Sequence, residues 1–236
     1  MGALIDKQGL YDAFSKDGYV AVKPLYSADE IVELNAEIGR FIRDVVPQMP
    51  ATQVYYEDKS DKNTLKQLQR MFEHDAYFNA LMLNGPVRQI AEAVLQEDVV
   101  PANMQFFNKP AGVGRATPPH QDGYYFHLSP CRAVTGWLAL EEVDEENGCI
   151  HYVRGSHKCA GFRPHGQTGT LGFSQGITDF GTQHDKATTE SFPGGPGTFL
   201  MHDAKTIHWA GANSSPTRSR RALGFIYYGI SARIDT

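Results

Sequence analysis

The feature of this sequence that most restricts its fold is a change of texture at Val99. From there on, short apolar runs alternate with Gly, Pro, Asn and Asp residues. Apolar runs bounded by such turn residues are typical of consecutive β-strands. So many short strands predict a sandwich or barrel, with helices packed on its outside. We place the strands at 102–109, 116–121, 132–141, 149–153, 197–202, 205–210 and 220–230.

The first 98 residues have mostly helical patterning. Ser27 is followed three residues later by Glu30, a capping pair, and apolar residues then recur at helical spacing as far as Val45. No repeat or linker divides the chain, and its 236 residues fit one domain. We therefore expect a single domain over 1–236, an all-β core at 99–236 with a helical flank at 1–98. Within the flank, 19–22 is predicted as a strand, 65–71 is ambiguous, and 78–95 is a helix interrupted at Gly85-Pro86.

Composition narrows the partners. A formal net charge of −5 leaves no basic footprint, so we expect no nucleic-acid partner. No apolar run approaches membrane-spanning length, and the N-terminus lacks the regions of a signal peptide. Cys131, Cys149 and Cys159 form no C-x-x-C pair, which favours free thiols in a reducing compartment. We expect a cytoplasmic protein with no membrane association; the oligomeric state is open.

A possible metal site begins at His120 and Asp122. Residues two apart on an extended chain project to the same face, so this imidazole and this carboxylate could meet at one point. His208, at the end of another apolar run, could supply a third ligand. Two histidines and one carboxylate with open positions form the facial triad of non-haem Fe(II) oxygenases. A lone His-x-Asp is weak evidence, because most single histidines are structural.

Other histidines compete for these roles. His184-Asp185 and His202-Asp203 are adjacent pairs, whose side chains face opposite sides of a strand and cannot share a metal. His202 by itself remains an alternative distal ligand to His208, since both close apolar runs. The remaining histidines have no partner at ligand spacing, and we interpret them as structural or solvent-facing: His74, His127, His151, His157 and His165.

An arginine pair follows His208. Arg220 and Arg221 lead into an apolar strand, where a guanidinium can hold a carboxylate bidentately. A solvated cationic turn is the commoner fate of such a stretch.

The ordered set of motifs resembles the phytanoyl-CoA dioxygenase family of Fe(II)- and 2-oxoglutarate-dependent oxygenases. The resemblance is firm from about residue 100 to the end and looser over the N-terminal helices. The matching segments are Asn108-Lys109-Pro110, His120-Gln121-Asp122 through Tyr125-Phe126, Trp137, Glu146-Asn147-Gly148-Cys149, Gly155-Ser156-His157-Lys158, Pro196-Gly197-Thr198, and His208 with Asn213 and Arg220-Arg221-Ala222.

The resemblance implies a double-stranded β-helix of the jelly-roll, cupin-like kind. It assigns Fe(II) to His120, Asp122 and His208, and the distal carboxylate of 2-oxoglutarate to Arg220. One extra residue before the arginine pair leaves Arg221 as an alternative, and Ala210 stands where many relatives carry Ser. The same pocket is expected to include Gln105, Asn108 and Trp137.

The implied reaction uses O2 and 2-oxoglutarate and releases succinate and CO2 while hydrogen is abstracted from a substrate carbon. Related halogenases replace the iron-binding carboxylate with a small residue, so Asp122 favours hydroxylation, or a desaturation or cyclisation by the same oxidant. Two alternatives remain open: a Zn-dependent hydrolase using the same ligands, and a cupin-like metal-binding protein with a vestigial site.

The substrate is the least determined part. Tyr124, Tyr125 and Phe126 could wall a pocket, although core packing explains at least one of them equally well. The Gly- and Thr-rich segment 161–195 is either a lid or a plain surface loop. Its basic residues could meet an anionic substrate, but solvated charges are the commoner case: Arg163, His165 and Lys186. We expect a small metabolite as substrate.

Overall fold

The computed structural model describes residues 6–170 and 173–235. Its N-terminal part is helical, as predicted. Ser27 accepts the Glu30 N–H while the Glu30 side chain binds back to the Ser27 backbone, so the expected capping box starts the second helix. Pro86 occupies the first turn of the fifth helix, which confirms the interruption at Gly85-Pro86. The five helices are α1 Lys7–Asp17, α2 Ala28–Asp44, α3 Met71–His74, α4 Ala76–Asn84 and α5 Pro86–Leu95.

Three short strands also lie in this part of the chain. They are β1 Tyr19–Val22, β2 Val54–Tyr56 and β3 Leu65–Leu68. The first confirms the strand predicted at 19–22. The third resolves the ambiguous stretch 65–71, which is a strand as far as Leu68 and a helix from Met71. The strand at 54–56 lies in a region without apolar alternation, so its sequence gives no signal for it. All three join the large sheet described next, so the flank and the core share one sheet.

Two antiparallel sheets form the rest of the core. The seven strands predicted after Val99 are all present, with ends that differ by at most a few residues. These strands are β4 Val99–Lys109, β5 Thr117–His120, β6 Ala133–Ala139, β7 Ile150–Val153, β11 Phe199–Asp203, β12 His208–Ala210 and β13 Arg220–Gly229. The large sheet has the order β1-β11-β6-β13-β4-β3-β2, and the small one has β7 next to β12 and β12 next to β5.

The segment 161–195 is mostly regular structure rather than a plain loop. It contains a hairpin of β8 His165–Thr170 and β9 Phe173–Ile177, then helix α7 Gln183–Thr188 and strand β10 Thr189–Phe192, which pairs with β7 at the edge of the small sheet. Residues 171 and 172 lie outside the described residues. A short helix, α6 Gly123–Phe126, follows β5.

The helices cover one face of the large sheet. Their apolar sides and that face of the sheet form the main core, which includes Phe41, Phe78, Ile90, Leu138, Phe199 and Phe225. The opposite face packs on the small sheet, where a second cluster includes Trp137, Ala139 and Tyr152. Within residues 6–170 and 173–235, no helix has both the length and the apolar character needed to cross a bilayer.

Candidate metal centre and its pocket

The strand pairing brings His120 and His208 together. His120 ends β5 and His208 begins β12, and the two are directly opposite in the antiparallel ladder, with ring centroids 4.1 Å apart. Residues opposite each other in such a ladder carry neighbouring side chains on one face. Residues 88 positions apart in sequence therefore meet because of strand register.

Asp122 reaches the same point by a different route from the one predicted. The extended strand stops at His120, and Asp122 has helical dihedral angles of φ −58° and ψ −38° at the start of α6. The prediction that His120 and Asp122 converge is correct, but the reasoning from an extended chain is wrong. A tight turn, rather than strand alternation, directs the carboxylate towards the two imidazoles.

The three side chains have the spacing of a shared ion. Asp122 Oδ1 lies 3.4 Å from His120 Nε2 and 3.6 Å from His208 Nε2, and the three candidate ligand atoms all lie within 4.8 Å of one another. Ligand atoms bound to one ion at about 2.0–2.2 Å are roughly 3 Å apart. These residues could therefore hold a divalent metal with only small adjustments.

The protonation states suit a metal. Burial, and the repulsion that a proton on His208 would meet from a proton on His120 or His202, keep the pKa of His208 well below its usual range, so its imidazole is neutral. Burial alone raises the pKa of Asp122, but the surrounding histidines outweigh it and hold that pKa well below the usual range. Metal ligands must be a neutral imidazole and an ionised carboxylate, and the folded protein supplies both.

Backbone carbonyls orient the two imidazoles. His120 Nδ1 lies 2.8 Å from the Pro118 carbonyl oxygen, and His208 Nδ1 lies 3.0 Å from that of Thr206. Each Nδ1–H therefore donates to the backbone, which leaves both Nε2 lone pairs directed at the candidate metal position. Metal-binding histidines usually have such an acceptor on their other nitrogen.

The second oxygen of Asp122 is also held. Thr135 donates its hydroxyl to Oδ2 at 2.6 Å, and His202 Nε2 lies 3.2 Å from the same oxygen. His202 Nδ1 in turn lies 2.9 Å from the hydroxyl of Tyr152. Thr135 and the hydrogen-bonded pair of His202 and Tyr152 thus hold the side of the Asp122 carboxylate that faces away from the ion.

This arrangement separates His202 from the ligand set. His202 contacts Asp122 through the oxygen that faces away from His120 and His208, so the alternative of His202 as distal ligand is not supported. Sequence reasoning missed Thr135 and Tyr152 in this network because neither belongs to a motif. Only their places on interior positions of β6 and β7, known once the register is known, identify them.

A cavity of about 270 Å³ opens from the candidate metal centre. Its wall includes most of the residues predicted for a co-substrate pocket. Of the tyrosines, Tyr125 reaches the wall, whereas Tyr124 is absent from the described lining and stacks on His165 with ring centroids 4.0 Å apart. Predicted residues that line the cavity are Gln105, Asn108, Tyr125, Phe126, Trp137 and Arg220.

Arg220 is a buried cation in this wall. It is 5% exposed, its guanidinium lies 5.5 Å from the centre of the Trp137 ring, and its Nε has no hydrogen-bond partner among the described residues. Burial lowers its pKa to about 10, so the group is still charged at neutral pH. A buried charge without a partner is strongly unfavourable, which indicates that an anion belongs next to it.

Arg221 faces the other way. Successive residues on a strand alternate between faces, and Arg221 forms an ion pair with Glu141, Nε to Oε2 at 2.9 Å. It does not appear in the described lining of this cavity. The geometry therefore favours Arg220 over the alternative Arg221 for binding a carboxylate in the cavity.

Two lysines that the sequence analysis gave no role also line the cavity. Lys109 is 4% exposed and donates to the backbone carbonyls of Arg115 and Gly211 at 2.6 and 2.7 Å. Burial and the charge of Arg220 lower the pKa of Lys109 to about 6. Lys66 pairs with Glu57 at 3.1 Å. A lysine within a predicted strand, such as Lys109 at the end of β4, is the sequence signal that could have identified these two residues.

The segment 161–195 packs beside the centre. Strand β9 contacts β5, and the Tyr125 hydroxyl donates to the Gln175 carbonyl. Arg163 binds Asp179 and Asp185 at 2.9 and 2.8 Å, so it holds this segment together instead of meeting a substrate. Lys186 is exposed to solvent.

Comparison with known proteins places this architecture in a family. A model of the phytanoyl-CoA dioxygenase (PhyH) family matches residues 14–222. The phytanoyl-CoA dioxygenase domain-containing protein 1 homolog of Caenorhabditis briggsae is 25% identical in an alignment that covers 89% of this chain and 86% of that protein. The ectoine dioxygenase of Sphingopyxis alaskensis is 24% identical in an alignment that covers 94% of this chain and 76% of that protein.

Solved structures agree on the fold. EctD from S. alaskensis, crystallised with 2-oxoglutarate and 5-hydroxyectoine, matches with a TM-score of 0.78 at 20% identity, covering 98% of this chain and 78% of that one. The epimerase SnoN, in complex with Fe3+, alpha ketoglutarate and nogalamycin RO, matches with a TM-score of 0.77 at 21% identity, covering 98% and 86%. The expected jelly-roll core with flanking helices is confirmed. Because the family model matches most of the chain, the chain belongs to the phytanoyl-CoA dioxygenase family.

Proposed function

We propose that this chain is an Fe(II)- and 2-oxoglutarate-dependent dioxygenase that holds iron through His120, Asp122 and His208 and hydroxylates a small-molecule metabolite. The observation that carries the proposal is the buried, charged Arg220 with an unpaired Nε in the cavity that begins at these three side chains. A dicarboxylate that binds a metal at one end and a guanidinium at the other fits both features. The cofactors are Fe(II), 2-oxoglutarate and O2.

Iron bound together with 2-oxoglutarate supplies the oxidising power, by coupling the decarboxylation of the keto acid to succinate and CO2 with the activation of O2. The protein positions the parts. His120 and His208 present Nε2 because their Nδ1–H groups are bound to backbone carbonyls. Asp122 would bind the ion through Oδ1, since Thr135 and His202 occupy Oδ2. With only three protein ligands, the iron would keep positions for the co-substrate and O2.

The co-substrate is held at its far carboxylate by Arg220, whose orientation is fixed against Trp137. The Ser that many relatives have at position 210 is replaced by Ala. Thr117, the strand partner of Ala210, lines the same cavity, and its hydroxyl lies 3.4 Å from Lys109 Nζ. We assign to Thr117 the hydrogen bond to the co-substrate that a serine at position 210 would donate.

A small-molecule substrate is supported by the relatives, two of which are named ectoine dioxygenase and probable alpha-ketoglutarate-dependent hypophosphite dioxygenase. In this chain, Tyr125 and Phe126 offer an aromatic wall beside the metal position. The segment 161–195 acts as the lid over that wall. Cytoplasmic localisation is part of the proposal, and it is supported by the free thiols of Cys131, Cys149 and Cys159.

The two alternatives make no use of Arg220. A Zn-dependent hydrolase needs the three ligands and a water, and a vestigial cupin-like site needs no anion-binding group at all. The test is succinate formation with Fe(II), 2-oxoglutarate and ascorbate in the wild type and in Arg220→Ala, with the neighbouring Arg221→Ala as matched control. The proposal predicts turnover that only Arg220→Ala abolishes; a rate independent of 2-oxoglutarate rejects it. A screen of a metabolite library for a mass gain of one oxygen then identifies the substrate.

A further inference from the structure

A second group of metal-binding side chains lies outside the cavity. It consists of Glu145, Cys149 and His151, whose candidate ligand atoms all lie within 4.8 Å of one another. Cys149 immediately precedes β7, His151 is the second residue of that strand, and Glu145 comes from the turn before it. None of the three belongs to the described wall of the cavity at the first metal centre.

This group is buried on one side and open to solvent on the other. His151 Nε2 lies 3.2 Å from Glu145 Oε2, close to the separation of two atoms bound to one ion. Cys149 is fully buried and His151 is 8% exposed, whereas the Glu145 side chain is 63% exposed. An ion could therefore enter from the solvent side of Glu145 and stop against the thiol and the imidazole.

The His151 ring is oriented by stacking. It lies on the Trp209 indole with ring centroids 3.9 Å apart and planes 7° apart, because His151 and Trp209 are opposite each other on β7 and β12. His151 Nδ1 is buried and has no hydrogen-bond partner among the described residues. The stacking thus fixes the direction in which Nε2 points, towards Glu145.

We propose that Glu145, Cys149 and His151 form a second metal site, distinct from the iron centre, that binds Zn²⁺ with a water as fourth ligand. A thiolate, an imidazole and a carboxylate match the ligand preferences of zinc, and thiolate does not suit Mg²⁺ or Ca²⁺. Zinc binds cysteine as the thiolate, so the Cys149 thiol proton would be released to solvent as the ion binds.

Cobalt(II) is the probe for the test, because thiolate–Co²⁺ bonds give a near-ultraviolet charge-transfer band. The iron centre contains no sulfur ligand, so this band reports the second site even when Co²⁺ also occupies the first. The reduced, chelator-treated protein is titrated with Co²⁺. The control variant is Cys159→Ser, which removes an exposed cysteine that does not belong to the cluster.

The expected result is a saturable band in the wild type and in Cys159→Ser that is lost in Cys149→Ser. Because Cys149 is buried and its replacement could disturb folding, Glu145→Gln at the exposed ligand is the second variant, and we expect it to weaken Co²⁺ binding at this site at least about tenfold. Zinc should abolish the band by displacing Co²⁺ from the site. A wild type without the band, or a band that survives Cys149→Ser, overturns the proposal. Neither outcome depends on 2-oxoglutarate turnover, so the proposed function is tested separately.

Discussion

Replacing Arg220 by methionine should have two opposite effects on one protein. Methionine keeps an unbranched side chain of similar reach but removes the charge and the donors that face the cavity. Removing one partner of a buried ion pair costs roughly 3–5 kcal/mol, so the dissociation constant of 2-oxoglutarate should rise by roughly two to four orders of magnitude. The matched variant Arg221→Met breaks only the half-exposed pair with Glu141, and 2-oxoglutarate affinity should change less than about threefold.

The same change should stabilise the protein when no co-substrate is bound. Burial lowers the pKa of Arg220 from 12.5 to about 10, and a base whose pKa is lower in the folded state destabilises that state wherever the group is protonated. Each pKa unit corresponds to 1.36 kcal/mol, so this burial costs about 3 kcal/mol at neutral pH, as an upper bound. Arg220→Met should therefore unfold at a higher temperature than the wild type.

The assays are isothermal titration with 2-oxoglutarate in the presence of Mn²⁺ and thermal unfolding of both variants without ligand. Saturating 2-oxoglutarate should raise the melting temperature of the wild type and of Arg221→Met, but not that of Arg220→Met. The reasoning is refuted if Arg220→Met binds 2-oxoglutarate within about threefold of the wild type. It is equally refuted if both arginine variants lose affinity to the same extent.

Three further predictions concern residues around the two ends of the cavity. His202→Leu removes a donor to the metal-binding carboxylate, so the dissociation constant for Fe(II) should rise roughly 10- to 100-fold, measured by metal competition, with secondary structure unchanged in circular dichroism. Thr117→Val should raise the KM for 2-oxoglutarate about tenfold with little change in kcat, and Ala210→Ser in the same protein should restore it; a KM that stays high in the double variant contradicts the assignment. Burial lowers the pKa of Lys109 to about 6, so between about pH 6 and the ordinary lysine pKa the unfolded chain binds more protons than the folded one. The free energy of unfolding should therefore rise with pH over that window. Denaturant titrations at pH 6 and pH 9 should show a smaller rise in Lys109→Met than in the wild type, and equal rises in both proteins would exclude Lys109 as the source.

Some parts of the fold and site follow from local patterns. The capping pair at Ser27 and the break at Pro86 are short-range signals, and both appear where expected. The strands after Val99 are bounded by turn residues that the sequence displays directly. His120 and His208 could be selected as partners because each adjoins a strand and has the motif neighbours of a known family.

Other parts depend on register, which a single sequence does not display. Whether Arg220 or Arg221 faces the cavity is decided by a shift of one residue on β13. Thr135 and His202 reach Asp122 from β6 and β11, 13 and 80 residues along the chain, so no spacing rule connects them. Asp122 itself has a helical conformation, not the extended one predicted from the His-x-Asp spacing. Strand β10 forms because β7 offers an edge for it to pair with.

The most direct test of the central claim is the visible absorption of the protein with Fe(II) and 2-oxoglutarate under anaerobic conditions, because chelation of iron by the keto acid gives a metal-to-ligand charge-transfer band. The band should form in the wild type and in Arg221→Ala, and it should be lost in His208→Ala. A folded wild type that shows no band with both additions, or a band of equal intensity in His208→Ala, would contradict the account.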